Sequence, residues 1–358
     1  MQQTTRNLAL DAIKGLCIIL MVVGHSGAPY ALEKMISSFH MPAFFIISGF
    51  LFKEKYMTEV WVFIKRKMKT IWWPYVFWTI IFLLLHNFFA DLGLYDSHYT
   101  PGETAARAVK GVTMRQTEQL LGGFWFLTAL LFASTVSLLY YKFCGLTRGS
   151  LLAGIAGALA ITECIKLNLI PEIAYFNAIN FQATAFFMTG TLFMRENFHT
   201  ISRRAPVVIA ALLCITVGTF WLQRAMTNVT AATVVPYYIT ATLITWGLIV
   251  VFWKLQSTTP MRYLVKIGSR TLDILIFHFI SFKLLTLVRI AIGESEFERL
   301  ADFPVINFKG VALNPTDFFW IGYSIIGLAI PLLLSRLKDS GKRAIKARHE
   351  RFPTDLIP

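Results

Sequence analysis

Residues 9–29, ALDAIKGLCIILMVVGHSGAP, form an apolar run of about 21 residues that contains Asp11 and Lys14 near its start and His25 near its end. A helix of ~20 apolar residues spans the hydrocarbon core of a bilayer, so this run has the length of a transmembrane helix. Its ionisable side chains are as informative as its length, because such groups are costly at bilayer depth and mark candidate functional sites.

The whole chain continues this apolar pattern. Hydrophobic residues make up 56% of its 358 residues and charged residues 15%, against ~45–50% and ~25% in ordinary soluble domains. This composition argues against a soluble enzyme, a disordered protein or a nucleic-acid binder, despite the net charge of +14. Further apolar windows lie at 36–52, 71–90, 123–143, 149–165, 176–194, 206–223, 235–253, 272–292 and 316–335. We therefore predict an all-α fold, a polytopic membrane helix bundle of about ten transmembrane helices.

The distribution of lysine and arginine predicts the orientation of this bundle. If the N-terminus is cytoplasmic, ten spans bring the C-terminus back to the cytoplasm. Of the 34 lysines and arginines, 23 then fall in cytoplasmic segments and eight in outer segments, which agrees with the positive-inside rule. We predict a membrane domain over 1–340, a basic cytoplasmic tail over 341–358, and both termini in the cytoplasm.

Two histidines are predicted to lie at a similar depth. Lys14 and His25 are eleven residues apart, so they share a helix face and are separated by ~16 Å along its axis. Asp11 lies one turn before Lys14 and can pair with it. His40 lies four residues inside the second window, so the antiparallel second helix brings it to the depth of His25. The alternatives are an interfacial anchor pair for Asp11 and Lys14, and simple interhelical hydrogen bonds for the histidines.

Two later stretches add candidates. Arg66 and Lys69, in a basic cluster before the third window, lie one turn apart and suit phosphate groups at a cytoplasmic mouth. The positive-inside rule explains the same cluster equally well. In the ninth window, the stretch 266–285 carries His278 close to mid-membrane, and we take it as a substrate-binding candidate. The sequence predicts no metal site.

Three segments in the first 80 residues carry a family resemblance: RNLALDAIKGLCIILMVVGH at 6–25, FHMPAFFIISGFLF at 39–52 and FIKRKMKTIWWPY at 63–75. They resemble the integral-membrane acyltransferase-3 family, especially its fucose-4-O-acetylase-like branch. The most specific element is a basic residue, ten intervening residues and a histidine, here Lys14 and His25. Many members have arginine at the basic position. The family's second basic motif is Arg-x-x-Arg, and its nearest match is Arg66-x-x-Lys69.

This resemblance implies an enzyme of the bacterial inner membrane that moves an acetyl group from cytoplasmic acetyl-CoA to a hydroxyl of a cell-envelope glycan or glycolipid. The implied partners are the acyl-CoA donor, that acceptor and the lipid bilayer, with no nucleic acid and no bound cofactor. The oligomeric state is left open. The alternative function is a multi-pass transporter, or an export partner for a glycan or small solute, in which the intramembrane ionisable groups form a relay.

The same resemblance suggests roles for the candidate residues. His25 would be the general base, because an unperturbed imidazole exchanges protons near neutral pH, or it would carry the acetyl group covalently. His40 would orient the acceptor or polarise the thioester carbonyl. The other substrate-binding candidates are Asp11, Lys14, Arg66, Lys69 and His278, of which Lys14, Arg66 and Lys69 would hold the donor phosphates.

Overall fold

The computed structural model of the protein describes residues 7–115, 118–197, 204–306 and 318–351. Over these ranges the chain is helical and contains no β-strand, which confirms the predicted all-α class. The α-helices of these ranges are α1 (Leu8–His25), α2 (Tyr30–Ser37), α3 (His40–Phe50), α4 (Val60–Lys67), α5 (Trp73–Leu84), α6 (His86–Asp91), α7 (Pro101–Val112), α8 (Trp125–Cys144), α9 (Arg148–Lys166), α10 (Ala178–Arg195), α11 (Arg204–Thr216), α12 (Ala231–Leu255), α13 (Thr259–Gly268), α14 (Thr271–Ala291) and α15 (Phe319–Arg351).

Six helical segments in the described part of the chain are long and apolar enough to cross a membrane. They are α1, α8 with the turn before it, α9, α12, α14 and the first part of α15. The windows at 36–52, 71–90, 176–194 and 206–223 also contain helices, but these fall short in length or apolarity; α3 and α5, for example, have 11 and 12 residues. The six candidate spans therefore fit a multi-pass helical membrane protein, and the count of about ten spans stays a prediction.

The window at 36–52 contains a break between two helices. Phe39 leaves helical geometry with φ −150° and ψ −23°, and α3 starts at the next residue. Pro42 then falls in the first turn of α3, where a missing backbone N–H does not cost a helical hydrogen bond. His40 Nδ1 donates to the Ile36 carbonyl oxygen at 2.7 Å, across the break. The break therefore fixes His40 as the first residue of α3.

α1 lies at the centre of the bundle, where it contacts α3, α12, α13, α14 and α15. Two close crossings between helices set its surroundings. At the crossing of α1 and α13, a Cβ added to Gly268 would lie 1.9 Å from the Asp11 carbonyl oxygen. At the crossing of α3 and α10, a Cβ added to Gly190 would lie 1.8 Å from the Ile46 carbonyl oxygen. Only glycine permits such contacts between backbones, which is the usual use of small residues between membrane helices.

Candidate functional site

A cavity of about 610 Å³ follows α1 through the bundle, and residues from Lys14 to His25 line it. Because these two residues are eleven positions apart on a regular helix, the cavity extends ~16 Å along α1. We call the part lined by Lys14, Arg66 and Lys67 the basic end, and the part lined by His25 and His40 the histidine end. Between the two ends the wall is mainly apolar, with side chains from Ile18, Met21, Phe44, Phe126, Leu130 and Phe187.

His25 is hydrogen-bonded to a second histidine behind the cavity wall. His25 Nδ1 lies 3.2 Å from His278 Nε2, and the two rings are nearly parallel, with an interplanar angle of 18°. His278 is fully buried on α14, and its own Nδ1 lies 3.0 Å from the carbonyl oxygens of Ile274 and Leu275. The Phe279 ring covers both imidazoles, with centroids 5.0 Å from His25 and 3.9 Å from His278.

These contacts determine which nitrogens of the two neutral rings carry hydrogen. Carbonyl oxygens only accept hydrogen bonds, so His278 Nδ1 must be a donor. His278 Nε2 is then the acceptor of the neutral ring, and the hydrogen in the His25–His278 contact belongs to His25 Nδ1. His25 Nε2 is left with a lone pair. The geometry therefore presents a neutral imidazole in the form of a base at the histidine end.

His40 faces the same part of the cavity from α3. Because its Nδ1 donates to Ile36, its neutral ring also keeps an acceptor at Nε2. Ser37, on the other side of the helix break, lines the cavity as well, and the Tyr237 hydroxyl donates to its carbonyl oxygen at 3.0 Å. The structure thus brings His25 and His40 to one cavity, and Ser37 before the helix break also lines it.

The basic end is formed by α1 and by the segment from α4 to α5. Lys14 pairs with Asp11 at 3.3 Å, which confirms the predicted pair, but Asp11 itself does not line the cavity. Arg66 Nη1 donates to the Tyr56 hydroxyl at 2.6 Å, so a second cavity residue holds the guanidinium in place. Lys67 lies beside it, with its amine 5.3 Å from the centre of the Phe63 ring.

Lys69, in contrast, lies outside the cavity lining and is exposed. The residues of this segment that line the cavity are Phe63, Arg66, Lys67, Thr70 and Ile71. Their spacing of three and four is that of one helix face, which continues through a π-helical turn at Met68–Trp72. The predicted phosphate-binding pair was Arg66 and Lys69, which lie one turn apart, but Lys67 lines the cavity and Lys69 does not. The apolar positions Phe63 and Ile71 are the signal that identifies this face.

Lys67 differs from an ordinary surface lysine in its ionisation. Burial of its side chain, together with the neighbouring charge of Arg66, lowers the pKa of Lys67 to about 8. A group of this kind is still mainly protonated at neutral pH, but it loses its charge under mildly alkaline conditions. The basic end therefore carries a cationic charge that depends on pH near physiological values.

The predicted residues are thus divided among three places. Lys14, His25, His40 and Arg66 line the cavity, while His278 and Asp11 contact lining residues from behind them. Lys69 faces away. Lys67 and Tyr56 also line the basic end, although neither is among the residues predicted from the sequence. Among the described residues, no three His, Cys, Asp or Glu side chains are grouped so that they could hold a metal ion.

A family model described as an acyltransferase domain matches residues 7–336, from the start of α1 into α15. The chain belongs to the acyltransferase-3 family. No curated protein and no solved structure matches it. The family match covers both ends of the cavity and all of the candidate residues. Together with the six apolar helices, membership in acyltransferase-3 supports a membrane acyltransferase.

Proposed function

We propose that this acyltransferase-3 protein transfers an acetyl group from acetyl-CoA to a hydroxyl of a cell-envelope glycan or glycolipid, as in the fucose-4-O-acetylase-like branch. The observation that carries the proposal is the cavity itself. It connects three cationic side chains at the basic end with the lone pair of His25 Nε2 at the histidine end. A long anionic thioester donor and a proton acceptor are the two requirements of this chemistry.

The proposed setting is the bacterial inner membrane, with about ten spans and both termini in the cytoplasm. The membrane domain would cover 1–340 and the basic tail 341–358. The bias of lysine and arginine supports this orientation. It would place the basic end on the cytoplasmic side, where acetyl-CoA is available, and the histidine end towards the outer side, where envelope glycans are found.

The donor would lie along α1. Its phosphates would contact Lys14, Arg66 and Lys67, because charge-assisted hydrogen bonds to phosphate are among the strongest polar contacts. The apolar wall between the two ends suits an extended pantetheine arm without formal charge. The ~16 Å from Lys14 to His25 would then bring the thioester carbonyl to the histidine end.

At the histidine end, the oxygen of the acceptor hydroxyl would attack the thioester carbonyl carbon while His25 Nε2 takes the hydroxyl proton. A new C–O bond forms and the C–S bond breaks. The proton on His25 then passes to the departing sulfur, so the products are the acetyl ester and CoA with its free thiol. His40 would orient the acceptor, since its Nε2 can accept a second hydroxyl hydrogen.

His278 would act through His25 rather than on the substrate. Its Nε2 holds the His25 Nδ1–H, which selects the tautomer in which Nε2 is the base. The same hydrogen bond strengthens when His25 becomes an imidazolium, because the donor is then charged. The carboxylate of a Ser-His-Asp triad has the corresponding role towards its histidine. We therefore assign His278 a positioning role in place of the substrate contact expected from the sequence.

The test is an assay of the full-length protein in lipid nanodiscs with acetyl-CoA labelled in the acetyl group and an extract of envelope glycolipids. The proposal requires CoA release together with label in the glycolipid fraction, and loss of both with His25→Ala. Label on the protein after acid quenching would identify the covalent variant at His25. Glycolipid movement across the membrane without consumption of acetyl-CoA would instead support a transporter.

A further inference from the structure

Lys283 is an intramembrane lysine that the proposed reaction does not use. It lies on α14, five residues after His278 and ~12 Å before the end of the helix at Ala291. Its side chain is only 2% exposed. A buried lysine in an apolar helix has a high cost unless its amine finds acceptors, so its partners show what it does.

The partners are backbone carbonyls of a loop that folds back into the bundle. Lys283 Nζ donates to the Leu300 carbonyl oxygen at 2.9 Å and to the Asp302 carbonyl oxygen at 2.6 Å. The loop begins after the end of α14, so it must run back ~12 Å along the helix axis to reach Lys283. The neighbouring Leu300 and Val305 side chains are 1% and 2% exposed, so this part of the loop is an interior element.

The next residue of the loop, Phe303, contacts the aromatic ring that packs on His25 and His278. The Phe303 ring lies 4.6 Å, between centroids, from the Phe279 ring, which in turn packs on both His25 and His278. Phe303 also closes on Gly122, where an added Cβ would lie 3.2 Å from the ring. Phe303 and Phe279 together form a continuous aromatic wall behind the two histidines, on the side where α14 ends.

We propose that Lys283 is a positioning residue that keeps this wall closed and thereby protects the thioester from water. The inference rests on the proposed acetyl transfer. With the wall open, a water oxygen replaces the acceptor oxygen at the thioester carbonyl: a C–O bond forms to water and the C–S bond breaks. His25 takes the water proton and returns it to sulfur, giving acetate and CoA. Exclusion of water from closed active sites prevents this class of side reaction.

If Lys283 has only a structural role, its loss should change stability or total activity. If it keeps the wall closed, its loss should change how much of the acetyl group goes to water, as acetate, and how much goes to the acceptor. The informative quantity is therefore the ratio of acetate to acetylated acceptor. Lys283→Met removes both hydrogen bonds and keeps an unbranched side chain of similar length. The loss of two hydrogen bonds shifts an opening equilibrium by roughly tenfold or more, so the ratio should rise about tenfold.

The experiment compares the full-length wild type, Lys283→Met, Phe303→Ala and the control Glu298→Gln in nanodiscs with acetyl-CoA and glycolipid extract. Glu298 lies on the same loop but is exposed. We expect a raised ratio in the first two variants and the wild-type ratio in Glu298→Gln. Folded Lys283→Met and Phe303→Ala proteins with the wild-type ratio, even at lower total activity, would overturn the inference while leaving the transfer reaction standing.

Two further outcomes are equally decisive. If Lys283→Met fails to accumulate in the membrane, Phe303→Ala decides alone, because it removes the loop's ring from the wall and keeps Lys283 in place. An unchanged ratio in that variant refutes the wall. If the wild type releases neither CoA nor acetylated acceptor, the transfer reaction itself is wrong, and the inference that rests on it falls as well.

Discussion

The replacement of Lys67 by alanine, with Lys69→Ala as its matched control, separates a donor site from a topology signal. The two lysines are two residues apart and carry the same charge, so both satisfy the positive-inside rule equally. Only Lys67 lines the cavity, beside Arg66 and the Phe63 ring. If the basic end binds the donor phosphates, Lys67→Ala raises the KM for acetyl-CoA and Lys69→Ala does not.

The magnitude follows from the kind of contact that is lost. A hydrogen bond to a charged group contributes about 1.5–3 kcal/mol, which corresponds to roughly 10- to 150-fold in affinity. Lys14 and Arg66 remain at the basic end of the variant and still attract the phosphates. We therefore expect the lower end of the range, a rise of about tenfold in KM. The kcat should change by less than about twofold, because Lys67 lies at the basic end of the cavity and the proposed base, His25, at the histidine end.

The low pKa of Lys67, about 8, adds a pH dependence with a definite sign. Bound phosphate favours the protonated amine, so donor affinity is highest below pH 8 and falls as the pH rises above it. The phosphate groups of the donor are fully ionised above about pH 7.5, since the second pKa of a phosphate monoester is ~6. Between pH 7 and 9.5, the KM of the wild type should rise, whereas Lys67→Arg should keep a flat profile because arginine stays charged.

Steady-state kinetics with acetyl-CoA at a saturating acceptor concentration, repeated across this pH range, give the KM of each variant and the pH dependence of the wild-type KM. Equal KM values for Lys67→Ala and Lys69→Ala would refute the assignment of the basic end. A wild-type KM that is flat up to pH 9.5 would refute the role given to the Lys67 charge, even if the alanine variant binds the donor weakly.

Four other predictions follow from the same geometry. His25→Ala should lower kcat by ~10²–10⁴-fold, the usual contribution of a general base, with donor binding by calorimetry retained. His278→Ala should lower kcat by a smaller factor without a change in the KM for either substrate, because His278 contacts His25 and not the cavity; a raised acceptor KM would contradict this. Gly190→Ala should lower the midpoint of thermal unfolding in detergent, because its Cβ would overlap the Ile46 carbonyl, and an unchanged midpoint would show that α3 and α10 can separate freely. Reporter fusions after residues 170 and 228 should be external and those after 60 and 262 internal, and any reversal would contradict the ten-span topology.

The part of the site that depends on one regular helix could be predicted from the sequence. α1 runs without interruption from Leu8 to His25, so the spacing of Lys14 and His25 translates directly into a shared face. The Asp11–Lys14 pair follows for the same reason. The convergence of His40 also depended on a simple rule, that consecutive membrane helices are antiparallel neighbours, and both imidazoles line one cavity.

The rest depended on features that spacing along the chain does not determine. Lys67 lines the cavity because it lies on the helix face that also contains Phe63 and Ile71, and this face packs inward. The spacing of Arg66 and Lys69 shows only that they are one turn apart, and does not show which face of the helix packs inward. The contact between His25 and His278 joins residues 253 positions apart and requires α14 to pack beside α1. The break at Phe39 is a backbone conformation that no apolar window reveals.

The use of a histidine behind His25, where soluble hydrolytic enzymes often have a carboxylate, agrees with the apolar surroundings of the pair. His278 is fully buried and in contact with Phe279 and Phe282. An ionised carboxylate in that position would be desolvated among aromatic rings, at a cost of several kcal/mol that one hydrogen bond does not offset. A neutral imidazole provides the same acceptor without a charge, and the Ile274 and Leu275 carbonyls fix its tautomer. The apolar surroundings thus favour a neutral histidine over a carboxylate as the partner of His25. The α14 carbonyls fix the tautomer of that histidine, which leaves the lone pair of His25 on Nε2.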